Sequence, residues 1–224
     1  MKVKFFFVSG LAAALCCGTF SAKAQITQAS GIYKFRYKYT KGQVLKYGMQ
    51  MSIKGADNKP LVADQKINLT ISVTGVDAKG NATLKITTDG VMGQKPADQK
   101  LVISPTGKVI SGVDPGLGSF ATFPDKGLKI GESWTHALSV PGGGGKINAK
   151  YTLKSVGNVA GKQVATISIV MSSANAQYTM SGTGSQHISV SDCSLVDSIA
   201  NVSTKIGTGT KAMTAKSTIS MKRK

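Results

Sequence analysis

The sequence predicts an all-β protein, an antiparallel up-and-down meander of roughly ten to twelve strands. Apolar and polar residues alternate at period two through most of the chain, and turn sequences rich in Gly, Pro, Asp and Asn separate the alternating runs. No stretch keeps apolar residues at helical spacing for three turns, although a short helix near residues 114–120 is compatible with the pattern. The meander closes as a barrel, a half-barrel or two packed sheets, since each of these buries one face of every strand.

The alternating runs follow one another with short turns between them. The first run, from Tyr33 to Tyr39, places aromatic side chains on one face and cations on the other, which predicts a half-buried strand. Lys41-Gly42 predicts a hairpin turn into the next run, which begins at Leu45. Further turns are predicted by segments that contain Gly, Pro, Asp or Asn, at residues 57–60, 77–81, 104–107, 141–145 and 156–162.

Residues 1–24 have the three parts of a secretory signal peptide: a charged start, a short apolar run and small residues before a cleavage site after Ala24. The apolar run is too short for a transmembrane helix, and no other stretch is long enough. We therefore expect residues 25–224 to form a single β-rich domain that is exported to the periplasm or the cell surface. This domain retains one cysteine, Cys193, for which a packed position is expected and a reactive thiol is the alternative.

The segment 120–136 separates two β-rich halves and contains the sole tryptophan, Trp134. It predicts a structured crossing in which Pro and Gly residues turn the chain and apolar residues fill the core between the halves. The residues of this structural motif are Phe123, Pro124, Asp125, Gly127, Gly131 and Trp134, and Leu128 and Ile130 are expected to join Phe123 and Trp134 in the core.

Three local patterns are distinctive: the Lys41-Gly42 turn, the Ser-Pro-Thr-Gly turn at residues 104–107, and the segment 123–134, which contains Pro-Asp-Lys and then Gly-Glu-Ser-Trp. Together they resemble a family of uncharacterised exported bacterial envelope proteins, a domain of unknown function with a central Pro-Asp-Lys…Gly-Asp/Glu-Ser-Trp segment. The chain departs from that pattern mildly, with Phe123 in place of Leu and Glu132 in place of Asp among the differences. The resemblance implies export and β structure, and it implies no activity.

No set of residues has a catalytic or metal-binding spacing, so we expect a non-enzymatic protein without a metal or cofactor. Asp192 and Asp197 are the candidate carboxylate pair, but their odd spacing places them on opposite faces of a strand. The two histidines, His136 and His187, could meet in space, yet no third ligand stands at a recognisable spacing. Ordinary polar roles are expected for these four residues.

The charge excess is the strongest functional signal, because 28 Lys and Arg residues accompany 10 Asp and Glu residues, for a formal net charge of +18. A field of this sign attracts anions, and the anions of a bacterial envelope are lipid headgroups, lipopolysaccharide and acidic polysaccharide. The expected anion-binding residues are cations on exposed strand faces, namely Lys34, Arg36, Lys38, Lys150 and Lys154. Nucleic acid is disfavoured, because the aromatic residues of the first run project away from its cations.

These observations predict an exported, non-enzymatic β-protein of the envelope that binds either polyanions through a basic face or an apolar ligand through its inner face. The alternative is a structural or assembly component that pairs with another envelope protein. A basic surface that only increases solubility accounts equally well for the charge.

Overall fold

The computed structural model describes residues 26–89, 97–112, 121–139, 146–174, 178–207 and 213–224. Within these ranges the chain forms thirteen β-strands and no α-helix. The strands are β1 (Ile26–Ala29), β2 (Ile32–Phe35), β3 (Val44–Gly55), β4 (Gln65–Val76), β5 (Ala82–Thr88), β6 (Ala97–Ile103), β7 (Val109–Gly112), β8 (Ser133–Ser139), β9 (Lys146–Val159), β10 (Lys162–Ala174), β11 (Tyr178–Ser189), β12 (Leu195–Ile206) and β13 (Met213–Arg223). The expected signal peptide, the short helix near 114–120 and the glycine-rich turn at 141–145 lie outside the described residues.

Eleven of these strands form one antiparallel sheet in the order β7-β6-β5-β4-β3-β13-β12-β11-β10-β9-β8, and β1 and β2 form a separate two-stranded sheet. The predicted all-β antiparallel meander is therefore confirmed. The chain meanders from β3 to β7, crosses to the opposite edge at β8, and meanders back until β13 pairs with β3. In the described chain the sheet ends at β7 and at β8, so it is open and not a closed barrel.

One face of the sheet, which we call the inner face, carries most of the large buried side chains. On β4, for example, Leu69 and Ile71 are 1% and 2% exposed. The register carries this alternation across the sheet, because Leu69 pairs with Tyr47 on β3 and Met49 pairs with Met221 on β13. The intervening residues point to the opposite side, the outer face, as the period-two geometry of strands requires.

A second layer of side chains, the aromatic plug, covers one end of the inner face. It consists of Phe35, Tyr37, Tyr39, Ala121, Phe123 and Leu128, all of which are buried. The rings of Phe35 and Phe123 stack with their centroids 4.8 Å apart. The backbone N–H of Tyr37 donates to Pro105 O at 2.7 Å, and that of Phe123 donates to Thr106 O at 2.8 Å. The plug is therefore held against the turn between β6 and β7.

The plug explains why the first alternating run departs from its predicted structure. Only Ile32–Phe35 forms a strand, and it pairs with β1. The Lys41-Gly42 turn does form, with the N–H of Gln43 donating to Thr40 O at 2.9 Å. The predicted hairpin with β3 is wrong, because β3 already pairs with β4 and β13 on its two sides. The aromatic side chains of the run are buried because they pack against the inner face of the sheet.

The central motif leads into β8, and Phe123, Leu128 and Trp134 are buried in the core. The expectation for Ile130 is wrong, since this side chain is 52% exposed. It lies in a tight turn that is closed by the N–H of Glu132, which donates to Lys129 O at 3.0 Å. The middle residues of such a turn project away from the core, so Ile130 cannot follow its buried neighbours.

Trp134 joins the plug to the β8 edge of the sheet. Its ring stacks on Tyr151 with a centroid separation of 5.3 Å, and its Nε1–H donates to Thr122 O at 2.7 Å. The Ser-Pro-Thr-Gly turn makes a matching contact at the other edge, where Gly107 has a φ of +83° and a Cβ would lie 2.4 Å from Ala121 O. The short segment 121–123 therefore holds both edges at the plugged end.

Replacing Trp134 with alanine is expected to lower the free energy of unfolding by about 3–5 kcal/mol, because it removes a buried ring. Trp134→Phe keeps most of the apolar contact and loses the hydrogen bond to Thr122, so the expected loss is about 1–2 kcal/mol. Urea unfolding followed by far-ultraviolet circular dichroism measures both values. Equal stability of the three proteins would show that Trp134 does not connect the plug to the sheet.

Candidate functional site

The turn between β11 and β12 forms a polar cluster at the plugged end of the sheet. Arg223 donates from Nη1 to Ser194 Oγ at 2.7 Å and to Asp192 Oδ2 at 3.4 Å. Ser194 donates from its backbone N–H and its hydroxyl to Asp192 Oδ1, at 3.0 and 2.7 Å. One nitrogen of the Arg223 guanidinium is therefore occupied within the fold.

Cys193 lies in the same turn and is fully buried, with a φ of +56°. Burial raises the pKa of the Cys193 thiol to about 12 and that of the Tyr47 hydroxyl to about 12. Burial also raises the pKa of Tyr37 and of Tyr39 well above the ordinary tyrosine value. The expected packed position of Cys193 is confirmed, and the raised pKa opposes formation of a nucleophilic thiolate.

Asp192 and Asp197 do not form a carboxylate pair. Asp192 belongs to the buried turn, whereas Asp197 accepts a hydrogen bond from His187 Nδ1 at 2.7 Å on the outer face. The other histidine, His136, pairs in register with the buried Ala149 and therefore lies on the inner face. Among the residues that the structure describes, no group of three or more His, Cys, Asp or Glu side chains is placed to hold a metal ion.

The cations that the sequence assigns to anion binding lie on separate elements. Lys34 and Lys38 are exposed on the segment that carries the first half of the plug, and Lys150 and Lys154 are exposed on β9. The structure leaves these four ammonium groups facing solvent without bringing them into one cluster. Their role in anion binding stays a prediction.

Arg36, the fifth of these cations, contacts the central motif. Its guanidinium donates to Asp125 O at 3.0 Å, to Pro124 O at 3.5 Å and to Asp125 Oδ1 at 3.5 Å. The side chain is partly buried, whereas the Asp125 side chain is almost fully exposed. Arg36 therefore links the first run to the crossing, which leaves fewer of its donors for an external anion.

A row of exposed lysines follows the pairing of β3 with β13 on the outer face. Lys54 pairs with Lys216, and Gly48 pairs with Lys222. Small polar side chains fill the positions between these pairs. We call this row the lysine track, and its members are Lys46, Gly48, Gln50, Ser52, Lys54, Lys216, Thr218, Ser220, Lys222 and Lys224. It extends over about 27 Å, since each strand residue adds about 3.4 Å.

The track holds five lysines and no Asp or Glu side chain. Lys54 and Lys216 are directly opposite each other, an arrangement of like charges that destabilises a sheet. Lys85 and Lys100 are also opposite each other, but Asp98 lies 2.8 Å from the Lys85 ammonium and offsets the repulsion. In the described part of the chain, no carboxylate lies within 4.0 Å of a track lysine. The track therefore carries an excess of positive charge that no ion pair among the described residues offsets, although Asp197 lies opposite Lys222 on β12.

Two depressions in the outer face lie along the track. The larger, of about 850 Å³, crosses β3 and β10–β13, contains Lys54 and Lys216, and has no carboxylate among the described residues that line it. The smaller, of about 530 Å³, lies over Gly48 and has Asp197 in its lining. A third depression, beside Gln50, has Asp64 in its lining and shares residues with both. The arrangement can accept an extended anion along the track or a compact anion in either depression.

The track was not predicted from the sequence, although two signals were present. Gly48 interrupts an alternating run at an outer position, and Lys222 and Lys224 follow each other at period two. Neither signal indicates that β3 and β13 lie side by side. The site exists only because these two strands are neighbours.

The inner face carries a second feature beyond the plug, which we call the inner trough. Its apolar members are half-buried and belong to two adjacent rows of the sheet: Met51, Ile53, Met171, Val202 and Ile219. Gly182 and Gly184 stand at the middle of these rows, where a Cβ would come within 2.8 and 2.6 Å of carbonyl oxygens of β12. The two glycines therefore permit a close approach of β11 to β12 that another residue would prevent.

Residues 118–194 match the model of a family of unknown function, DUF6263. This match supports an uncharacterised domain in the chain. No curated protein is similar to the chain. Within the described ranges there is no helix long and apolar enough to cross a membrane.

The buried phenol and thiol groups predict a loss of stability at alkaline pH. Their pKa values are higher in the folded state than the ordinary 10.0 and 9.0, so their stabilisation is complete below about pH 9 and is lost as the pH rises towards about 12. Guanidinium unfolding between pH 7 and pH 11 measures this fall, and the ultraviolet absorbance of tyrosinate reports ionisation. Titration of all six tyrosines near pH 10 in a protein that keeps its native circular dichroism would contradict the burial of this cluster.

Proposed function

We propose that this chain is an exported, non-enzymatic β-protein of the cell envelope whose outer sheet face binds polyanions along the lysine track. The observation that supports the proposal is the set of five track lysines, none of which lies within 4.0 Å of a carboxylate in the described part of the chain. Export rests on the signal-peptide pattern of residues 1–24.

The lysine track destabilises the folded protein. Opposed lysines repel one another, and the pair Lys54–Lys216 lacks the kind of compensation that Asp98 supplies to Lys85. A polyanion on the outer face would remove this repulsion, because its charges would lie between the ammonium groups. Binding would also release counterions from the polymer, which makes the affinity depend on salt.

The side chains between the lysines favour a hydroxylated polymer over a nucleic acid. The track contains Ser, Thr, Gln and Gly residues and no aromatic ring. Hydroxyl and amide groups can hydrogen-bond the hydroxyls of a sugar chain, whereas unpaired bases require aromatic stacking partners. Lipopolysaccharide and acidic polysaccharide of the envelope are therefore the proposed class of ligand.

The purified protein is expected to bind immobilised lipopolysaccharide at low salt and to lose this binding at moderate salt. The double variant Lys54→Gln/Lys216→Gln is expected to bind about tenfold more weakly and to lower the salt slope by about 1–2. It should also be at least as stable as the parent protein, since it removes a like-charge pair. Surface plasmon resonance and urea unfolding measure these effects.

The matched control is Lys79→Gln/Lys129→Gln, which removes the same charge from two exposed turn positions. Its affinity is expected to change by less than about twofold, because these positions are distant from the track. If the two double variants weaken binding equally, binding depends on the net charge of the protein and not on the lysine track. Absence of binding at low salt, together with a single protein partner captured by cross-linking in cells, would favour the assembly role instead.

The inner trough favours an apolar ligand as a second candidate function. Its Met, Ile and Val side chains remain half-buried, although the plug covers the neighbouring part of the same face. Methionine side chains adapt to ligands of different shape, and a single fatty acyl chain has the width and polarity that such a trough accepts.

A fluorescent fatty acid is expected to gain intensity when it binds the trough, and Val202→Lys is expected to abolish most of this gain by placing a charge there. Val170→Lys is the matched control, because Val170 is 54% exposed on the outer face. A fluorescence titration of the three proteins separates the outcomes, and identical curves would exclude the trough as the binding site.

A further inference from the structure

The smaller depression of the outer face has a glycine at its floor. Gly48 pairs with Asn68 on one side and with Lys222 on the other. Its position within β3 would normally carry a side chain over the middle of this surface. Because glycine has none, a ligand can approach the backbone between the flanking strands.

Lysine side chains surround this floor on three sides. Lys66 on β4 pairs with Gln50, the next outer residue of β3, and Lys222 on β13 is opposite Gly48 itself. Lys224 enters from the third side: its Nζ donates to Asn68 Oδ1, and its Cε would be 3.2 Å from a Cβ at position 48. Three ammonium groups thus converge on one depression from β4, β13 and the residue that follows β13.

Two carboxylates near the site accept hydrogen bonds from other residues, and one of them, Asp197, is among the residues that line the depression. Asp89 accepts a hydrogen bond from the side-chain amide of Asn68. Asp197, which is opposite Lys222 on β12, accepts one from His187 Nδ1 at 2.7 Å. Neither lies within ion-pair distance of the three lysines in the described chain. Asp89 also orients Asn68, whose carbonyl oxygen holds Lys224 at the rim.

The composition of the depression distinguishes among classes of anion. The arginine that lines it, Arg223, donates from Nη1 to Asp192 and Ser194, which leaves its guanidinium fewer donors for bidentate recognition of a carboxylate. Lysine acts instead as a compact point charge that suits the concentrated charge of a phosphate group. Three such charges and the one lining carboxylate, Asp197, leave a net positive charge around the glycine floor, which matches a small anion of charge near −2.

We propose that the Gly48 depression is a binding site for a phosphate monoester, held by Lys66, Lys222 and Lys224. The proposal rests on the proposed polyanion binding, for which it supplies a specific recognition point. The phosphate group is the shared chemistry of two sources, a phosphorylated lipid headgroup in a membrane and a free phosphorylated molecule.

The first experiment changes the floor of the site without changing its charge. Gly48→Thr places a β-branched side chain where the anion would lie, in a strand position that such residues favour. The neighbouring Lys224 carbon is the end of a flexible side chain and can move aside. Gly157→Thr is the matched control, because no atom lies within 4 Å of a Cβ at that strand position. In a nuclear magnetic resonance titration, inorganic phosphate and glycerol 3-phosphate are each expected to shift the amide signal of residue 48. Gly48→Thr is expected to weaken this binding about fivefold or more. Gly157→Thr is expected to leave the affinity unchanged.

The second experiment changes the charge of the site. Lys66→Gln/Lys222→Gln is expected to weaken glycerol 3-phosphate binding about tenfold or more, because two charge-assisted hydrogen bonds are lost. Lys79→Gln/Lys129→Gln carries the same charge change and is expected to change the affinity for glycerol 3-phosphate by less than about twofold.

Vesicles that contain phosphatidic acid test the membrane source. The control vesicles contain phosphatidylglycerol at equal charge. Tighter binding to phosphatidic acid indicates that the protein recognises the monoester headgroup.

The outcomes separate this inference from the proposed function. If the parent protein binds lipopolysaccharide but Gly48→Thr and Lys66→Gln/Lys222→Gln behave as their controls, the phosphate site is wrong and polyanion binding stands. If free phosphate shifts residue 48 and the variants abolish the shift, the site stands even where lipopolysaccharide binding is absent. Failure of phosphate, glycerol 3-phosphate and phosphatidic acid to bind the parent protein overturns the site.

Discussion

The pairing of β3 with β13 is the constraint on which the rest of the structure depends. It joins the meander formed by β3–β7 to the meander formed by β8–β13, and without it the chain would have two smaller sheets with two additional edges. The same ladder builds both faces: Met49 and Met221 meet in the core, while Gly48 and Lys222 meet outside. A slip of one residue would exchange these faces, so burial of the apolar residues also determines the register of the lysines.

The aromatic plug covers apolar side chains on the inner face that an open sheet would otherwise expose to solvent. Eleven strands bury their apolar side chains only if something covers them, and here two short segments that lie far apart in the chain do so. Phe35 stacks on Phe123, and Trp134 extends the ring contacts to Tyr151 at the edge of the sheet. The plug covers one end of the face, and the half-buried side chains of the inner trough mark where its coverage stops.

The outer face shows a conflict between stability and charge. Opposed lysines destabilise a β-ladder, and elsewhere in the sheet Asp98 relieves such a pair. On the lysine track no carboxylate has this role, and Arg223, which could have added to the positive surface, instead holds the β11–β12 turn. Sites that carry an unrelieved cost of this kind are often the ones that a ligand completes.

The sequence by itself determined the all-β class, most of the turns and most of the buried residues, because period-two alternation is a local property of each strand. It also identified Phe123, Leu128 and Trp134 as core residues, since they flank the turn-forming Pro124 and Gly127. Tertiary structure alone decided that the run from Tyr33 to Tyr39 packs inside the sheet and that β3 lies beside β13. Strand pairing between the two ends of a chain depends on the total burial that the whole fold achieves, and no local pattern encodes it. For the same reason the lysine track and the Gly48 depression appear only when both strands are brought together.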